Sequence, residues 1–241
     1  VYVTLPSKGK YYTSDALNMP ETGELPVFAM TAKDELTMKT PDALLNGQAT
    51  VNVIKSCVPN IADPWQMPSI DLDAILVAIR IATYGESLDL ETKIPVTGEE
   101  RTFQADLRQM LNKLVTVDYI DEVHIGDFLL TLRPLTYREF TATSLKTFEE
   151  QRIFATINDD ELPDADKLEK FAESFQRLTD LTVAMMSKGI AKINIGETEV
   201  TNADHIDEFI NNVDKDIYQS ILDHLDDQRK KFVIEPLTVQ T

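Results

Sequence analysis

The residues able to do chemistry in this chain are few and scattered. Its three histidines, His124, His205 and His224, have no second histidine three to five residues away. Cys57 is the only cysteine, so neither a zinc site of ordinary local spacing nor an intrachain disulfide can be built from it. The stretch "SKGK", Ser7 to Lys10, contains the Gly-Lys pair of a phosphate-binding loop. Such a loop needs a further glycine where Thr4 stands, and a Ser or Thr for magnesium where Tyr11 stands. Asp71 and Asp73 have the form of an Asp-x-Asp metal pair, yet on a helix they point roughly 200° apart. Carboxylates in a first turn are already favoured by the helix dipole, which is the preferred reading here. Glu99 with Glu100 lies beside a turn, and Asp226 with Asp227 on a polar helix face, so both read as solvated pairs. His205 and His224 lie in acidic helical segments and read as solvated, His124 as a turn residue. No Gly-x-Ser-x-Gly, His-Glu-x-x-His or Gly-x-Gly-x-x-Gly motif occurs. No catalytic, cofactor-binding or metal-binding residue is therefore assigned.

What would position any site is a chain of 241 residues, 43% of them hydrophobic, which suffices for a real core. The 23 basic and 41 acidic residues give a formal charge of −18, which disfavours nucleic acid and anionic membranes as partners. The excess is concentrated: Asn158 to Asp227 holds 18 Asp or Glu and 6 Lys or Arg. No apolar run approaches the roughly 18 to 20 residues of a membrane helix, and the N-terminus lacks the order of a signal peptide.

Pro6, Pro20 and Pro26 make Val1 to about residue 30 an extended arm. Thr31 starts a helix that yields before Pro41, and a second helix runs from Ala49 to Cys57 with Gly47 between them. "SIDLDAILVAIRIATYGE" predicts a buried helix capped by Ser69 and ended by Gly85. A hairpin turning at Pro95 to Gly98, a short helix capped by Asp106 and a hairpin turning at Ile125 to Asp127 follow. Thr136 and Glu139 form a capping box for a helix to about Ile157. A long amphipathic helix from Pro163 to Gly189 carries Leu168, Phe171, Phe175, Leu178, Leu181, Val183 and Met185 at helical spacing. A hairpin around Gly196, a helix capped by Asn202, a last helix to Lys231 and the start of a strand complete the chain. The expected class is α+β, divided into an arm (1–30), a mixed core part (31–135) and a mainly helical acidic part (136–241), with a composition boundary near Pro134. Of the two adjacent methionines, Met185 suits the core and Met186 an interface.

The first half resembles a known family. "LPSKGKYY", "LPVFAMTAKDEL" and "IDLDAILVAIRIATYGE" are similar to the baseplate hub proteins of tailed bacteriophages of the T-even type. The matching positions are Leu5 to Tyr12, Thr31 to Leu36, Ile54 to Cys57, Asp71 to Arg80 and Tyr84-Gly85, with a weaker echo at "LRPLTYREF". Many relatives carry a Cys-Pro-x-Cys knuckle where this chain has "IPVTGEE"; Ile94 and Thr97 cannot hold a metal.

The resemblance implies a structural or assembly protein of a contractile tail baseplate, either a permanent hub component or an assembly chaperone. It would work without catalysis or cofactor, through contacts with other tail or baseplate proteins in a hetero-oligomeric assembly, and would be assembled in the host cytoplasm into the virion tail. It gives the arm the role of gripping a neighbour through Leu5, Pro6, Tyr11 and Tyr12, with Met186 as a further contact. The acidic half suits a basic tail component as partner. The readings kept beside it are a cellular adaptor and a metal-dependent enzyme built from dispersed carboxylates.

Overall fold

A computed structural model describes residues 1–40, 46–93, 100–157 and 164–234. The fold is α+β, and the chain separates into two compact units, Val1–Tyr119 with the segment from Arg229, and Ile120–Gln228. The division falls after Tyr119 rather than near Pro134.

In the first unit, strand β1 (Tyr2–Val3) pairs antiparallel with β2 (Leu25–Pro26). Helix α1 (Ala32–Met38) opens on a reciprocal box in which Thr31 accepts from the Asp34 N–H and Asp34 accepts from the Thr31 N–H. The acid of the box is Asp34. Helix α2 (Gln48–Cys57) follows Gly47, whose φ of 77° is left-handed. Ser69 does not cap the next helix. Ser69–Asp71 form a single 3₁₀ turn, and helix α3 (Leu72–Tyr84) begins after Asp71, whose side chain makes no capping bond.

Ala74, Ile75, Ala78 and Ile79 of α3 are buried, as are Leu5, Leu25, Ile54 and Val58 of the same unit. Strands β3 (Ser87–Lys93) and β4 (Glu100–Asp106) form the first hairpin, and the turn expected at Pro95 to Gly98 lies outside the described residues. Asp106 caps helix α4 (Leu107–Val115) by accepting from the Gln109 N–H at 3.0 Å. No strand begins at Phe232–Ile234, and 235–241 lie outside the described residues.

The second unit is built on a four-stranded antiparallel sheet in the order β5 (Glu122–Ile125), β6 (Phe128–Leu132), β7 (Ile190–Ile195), β8 (Thr198–Val200). Its two hairpins were expected separately. Between them the chain leaves the sheet, forms helices α5 (Tyr137–Ile157) and α6 (Asp164–Gly189), and returns so that Leu130 stands opposite Ile193. The Thr136/Glu139 box caps α5, and Glu139 also takes a two-pronged ion pair from Arg133 at 3.0 and 2.8 Å.

Helix α7 (Ala203–Asn212) is capped by Asn202 and buries Ile206 and Ile210, with Phe209 edge-on to Phe128. Helix α8 (Lys215–Lys231) buries Ile221 and Gln228. The Gln228 amide oxygen accepts from the Ile120 N–H at 3.0 Å, which ties the last residue of this unit to its first.

Leu130 is fully buried on a central strand. Leu130→Ala is expected to lower stability by about 2 to 5 kcal/mol, through lost burial and a residual cavity. Urea unfolding followed by far-UV circular dichroism measures it.

Candidate interaction site: the anchored N-terminal loop

The loop from Ser7 to Tyr12 is shaped by one buried carboxylate. Asp71 has 0% of its surface exposed, and its Oδ1 accepts from the Ser7 N–H at 2.7 Å. Its Oδ2 accepts from the Ser7 hydroxyl at 2.6 Å and from the Tyr12 hydroxyl at 2.9 Å. Burial pushes the Asp71 carboxyl up to about 6, against the pull of the Ser7 and Tyr12 bonds, which favour the ionised form. The Tyr12 hydroxyl is pushed well above the usual phenol range, first by burial and then by the Asp71 charge. The dipole role expected for Asp71 is therefore replaced by an anchoring one. Asp73, one residue inside α3, accepts from the Ile234 N–H at 3.1 Å.

The rest of the loop bends to meet this anchor. Lys8 and Tyr11 have φ of 55° and 68°, left-handed values uncommon for residues with a side chain. Gly9 has φ of 79°, and a Cβ there would come within 2.7 Å of the Met19 methyl. The Ser7 hydroxyl also accepts from the Gly9 N–H at 3.2 Å. Outside the bend, the Lys8 ammonium pairs with Asp118, and the Tyr11 ring stands edge-on to Tyr119 at 5.8 Å. The N-terminal segment thus folds back on its own unit, and Val1 N–H donates to the Val27 carbonyl at 3.0 Å.

The residues expected to form an interface are placed unequally. Leu5 and Pro6 lie in the core of the first unit. Tyr11 and Tyr12 are half-buried, and only Lys8 and Lys10 of the loop are exposed. The two methionines exchange places relative to expectation: Met186 is 1% exposed and Met185 is half-buried. The cause is the end of α6. Its C-terminal turns pack on α7 and lead into β7, so the face carrying Met186, Gly189 and Ile190 turns inward. Neither spacing nor composition carried a signal for Asp71 as the anchor, because its partners lie 59 and 64 positions away in sequence.

The other candidate groups stay apart. His124 on β5 and His205 on α7 are exposed, and the Nε2 of His224 on α8 is buried without a hydrogen-bond partner. Cys57 is buried, and burial pushes its thiol up to about 11, which makes it an inert core group. Among the described residues, no three His, Cys, Asp or Glu side chains are grouped to hold a metal ion. Glu99 lies outside the described residues, and Ile94 and Thr97 do too. Among the described residues, no helix is long and apolar enough to cross a membrane.

The polar groups that converge on Asp71 hold the N-terminal loop to its own unit. The family model described as "T4 bacteriophage base plate protein" matches residues 2–236, and the chain belongs to that family. It is a structural protein of the phage tail baseplate. The match runs well beyond the stretch from Leu5 to Leu114 in which the resemblance is readable. No curated protein and no solved structure is significantly similar to the chain.

Tyr12→Phe removes one bond to a buried carboxylate and is expected to cost about 1 to 3 kcal/mol. The Asp71 charge has a distinct pH signature. Its folded pKa lies above the unfolded value, so its stabilising contribution is fully present below about pH 4 and is lost as pH rises through about 6. A rise of about two units corresponds to about 3 kcal/mol. Asp71→Asn should abolish that slope, and urea unfolding of both proteins from pH 4 to 8 measures the difference.

Proposed function

We propose that this baseplate protein belongs to the central hub and acts by contact with other tail or baseplate proteins, without catalysis or cofactor. The observation that carries the reading is the family match over residues 2–236. The hub assignment rests on the motif stretches Leu5 to Tyr12 and Asp71 to Arg80, which resemble hub proteins. Membership in the family favours this reading over a cellular adaptor or a metal-dependent enzyme.

The proposed partners are hetero-oligomeric neighbours met during assembly in the host cytoplasm. Ile120–Gln228 carries most of the acidic excess, so a basic tail component is the partner its charge suits. Of the five residues proposed as contacts, Tyr11 and Tyr12 retain surface, beside the exposed Lys8 and Lys10. Leu5, Pro6 and Met186 act from within, by fixing the shapes of the two units.

A permanent component remains in the purified particle, whereas an assembly chaperone leaves it. Mass spectrometry of purified particles and of infected-cell lysate separates these roles. Peptides in stoichiometric amount in the particle are expected for a built-in hub protein. Peptides in the lysate alone would assign the chaperone role, and absence from both would contradict the proposal. Capture of tail proteins on the immobilised chain should weaken as salt rises, and salt-independent capture would contradict the electrostatic part.

A further inference from the structure

Strands β3 and β4 pair over seven residues each, about 23 Å, and among the described residues no third strand joins them. The Leu107 N–H donates to the Glu86 carbonyl at 2.8 Å, one step below the Ser87–Asp106 pair. In an antiparallel ladder, hydrogen-bonded and unbonded pairs alternate. The bonded pairs are therefore Leu88–Ala105, Leu90–Phe103 and Thr92–Arg101. The unbonded Asp89–Gln104 pair agrees, because its side chains come close enough for the Gln104 amide to donate to Asp89 at 3.2 Å. On β3 the N–H and C=O groups of Ser87, Asp89, Glu91 and Lys93 thus point away from β4.

Such an edge is ordinarily blunted by a proline, a bulge or a central lysine. β3 has no proline, pairs without a register shift, and keeps its one lysine at its end. Ser87, Asp89 and Glu91 are exposed, while Leu88, Leu90 and Phe103 on the other face are half-buried. An added strand gains main-chain bonds along the edge and extends the apolar face.

Charge selects the occupant. The two strands hold four carboxylates, Asp89, Glu91, Glu100 and Asp106, and two cations, Lys93 and Arg101. A second copy is disfavoured at the β3 edge. Every two-fold antiparallel register that overlaps five or more residues of β3 sets a carboxylate against a carboxylate. The opposed pairs are Asp89–Glu91, Asp89–Asp89 or Glu91–Glu91, according to whether the axis lies at Leu90, Asp89 or Glu91. A foreign strand with cations at alternate positions sets them opposite Asp89 and Glu91, and its intervening apolar residues lie beside Leu88 and Leu90. The central outward residues of β4, Thr102 and Gln104, offer no such charge.

We propose that the free edge of β3 is a docking site for an extended segment of another tail protein, with basic and apolar residues in alternation, which joins the hairpin as its third strand. Such a contact deepens the function proposed above and rests on it. A synthetic strand tests the edge itself, so its outcome is separate from those of the particle and capture experiments.

The probe is an end-blocked peptide of alternating lysine and valine, matched in length to β3, with a glutamate and valine peptide as its charge-reversed counterpart. Each is titrated into the full chain and followed by amide resonances and hydrogen exchange. In the free chain, the Asp89 and Glu91 amides are expected to exchange about 10-fold or more faster than those of Leu88 and Leu90. The lysine peptide is expected to slow Asp89 and Glu91 by about 10-fold or more, and the glutamate peptide to leave them unchanged. Glu91→Pro removes an outward donor and no hairpin bond. It is expected to weaken lysine-peptide binding about 10-fold or more with the far-UV circular dichroism unchanged. Thr102→Pro, the matching change on β4, should leave binding as in the wild type. Asp89→Lys combined with Glu91→Lys should exchange the preference between the two peptides. Protection of the Asp89 and Glu91 amides in the free chain would overturn the proposal, since the chain itself then covers the edge. Absence of lysine-peptide binding would also overturn it, as would binding that survives Glu91→Pro or is lost in Thr102→Pro alone.

Discussion

Asp71 stands at the head of α3 with no contact to solvent, and a carboxylate in that position is stable only if donors are brought to it. All three donors named for it come from one loop: the Ser7 N–H, the Ser7 hydroxyl and the Tyr12 hydroxyl. This requirement fixes the path of the N-terminal segment. It brings Leu5 and Pro6 into the core of the unit, and it holds Lys8 and Tyr11 in left-handed conformations that neither residue favours alone. An opening segment with three prolines and no helix thereby becomes part of a unit's body rather than an arm outside it.

Two of the stretches that carry the resemblance to baseplate hub proteins meet at this anchor. Leu5 to Tyr12 is hydrogen-bonded to the head of the Asp71 to Arg80 helix. Cys57, at the end of α2, accepts through its carbonyl from the Phe28 N–H at 2.8 Å. Motifs far apart in sequence are thus different sides of one core, and their residue types are set by packing and anchoring. In the second unit, the Glu150, Ser174 and Arg177 link anchors the pair of long helices.

Much of this fold is written locally. The Thr31/Asp34 and Thr136/Glu139 boxes, the Asp106 and Asn202 caps and the glycines at the hairpin turns lie within a few residues of what they control, so helix and hairpin positions are readable from the sequence. Features with a distant cause are not. The pairing of β6 with β7 skips two long helices, and nothing in either hairpin announces it. The boundary placed near Pro134 from composition differs from the structural one because this pairing draws β5 and β6 into the acidic part of the chain. Asp71 had a sufficient local explanation in the helix dipole, which hid its partners. The period of the first half of α6 points Met185 inward, yet the packing face changes before the helix ends and Met186 is buried instead.

The central claim is that the N-terminal loop is anchored to its own unit through Asp71. The most direct test is hydrogen exchange at the Ser7 amide, which donates to the buried carboxylate. The account predicts protection comparable to that of core amides in α3, reached only by opening of the unit. Exchange at the rate of an unprotected, extended arm would contradict it.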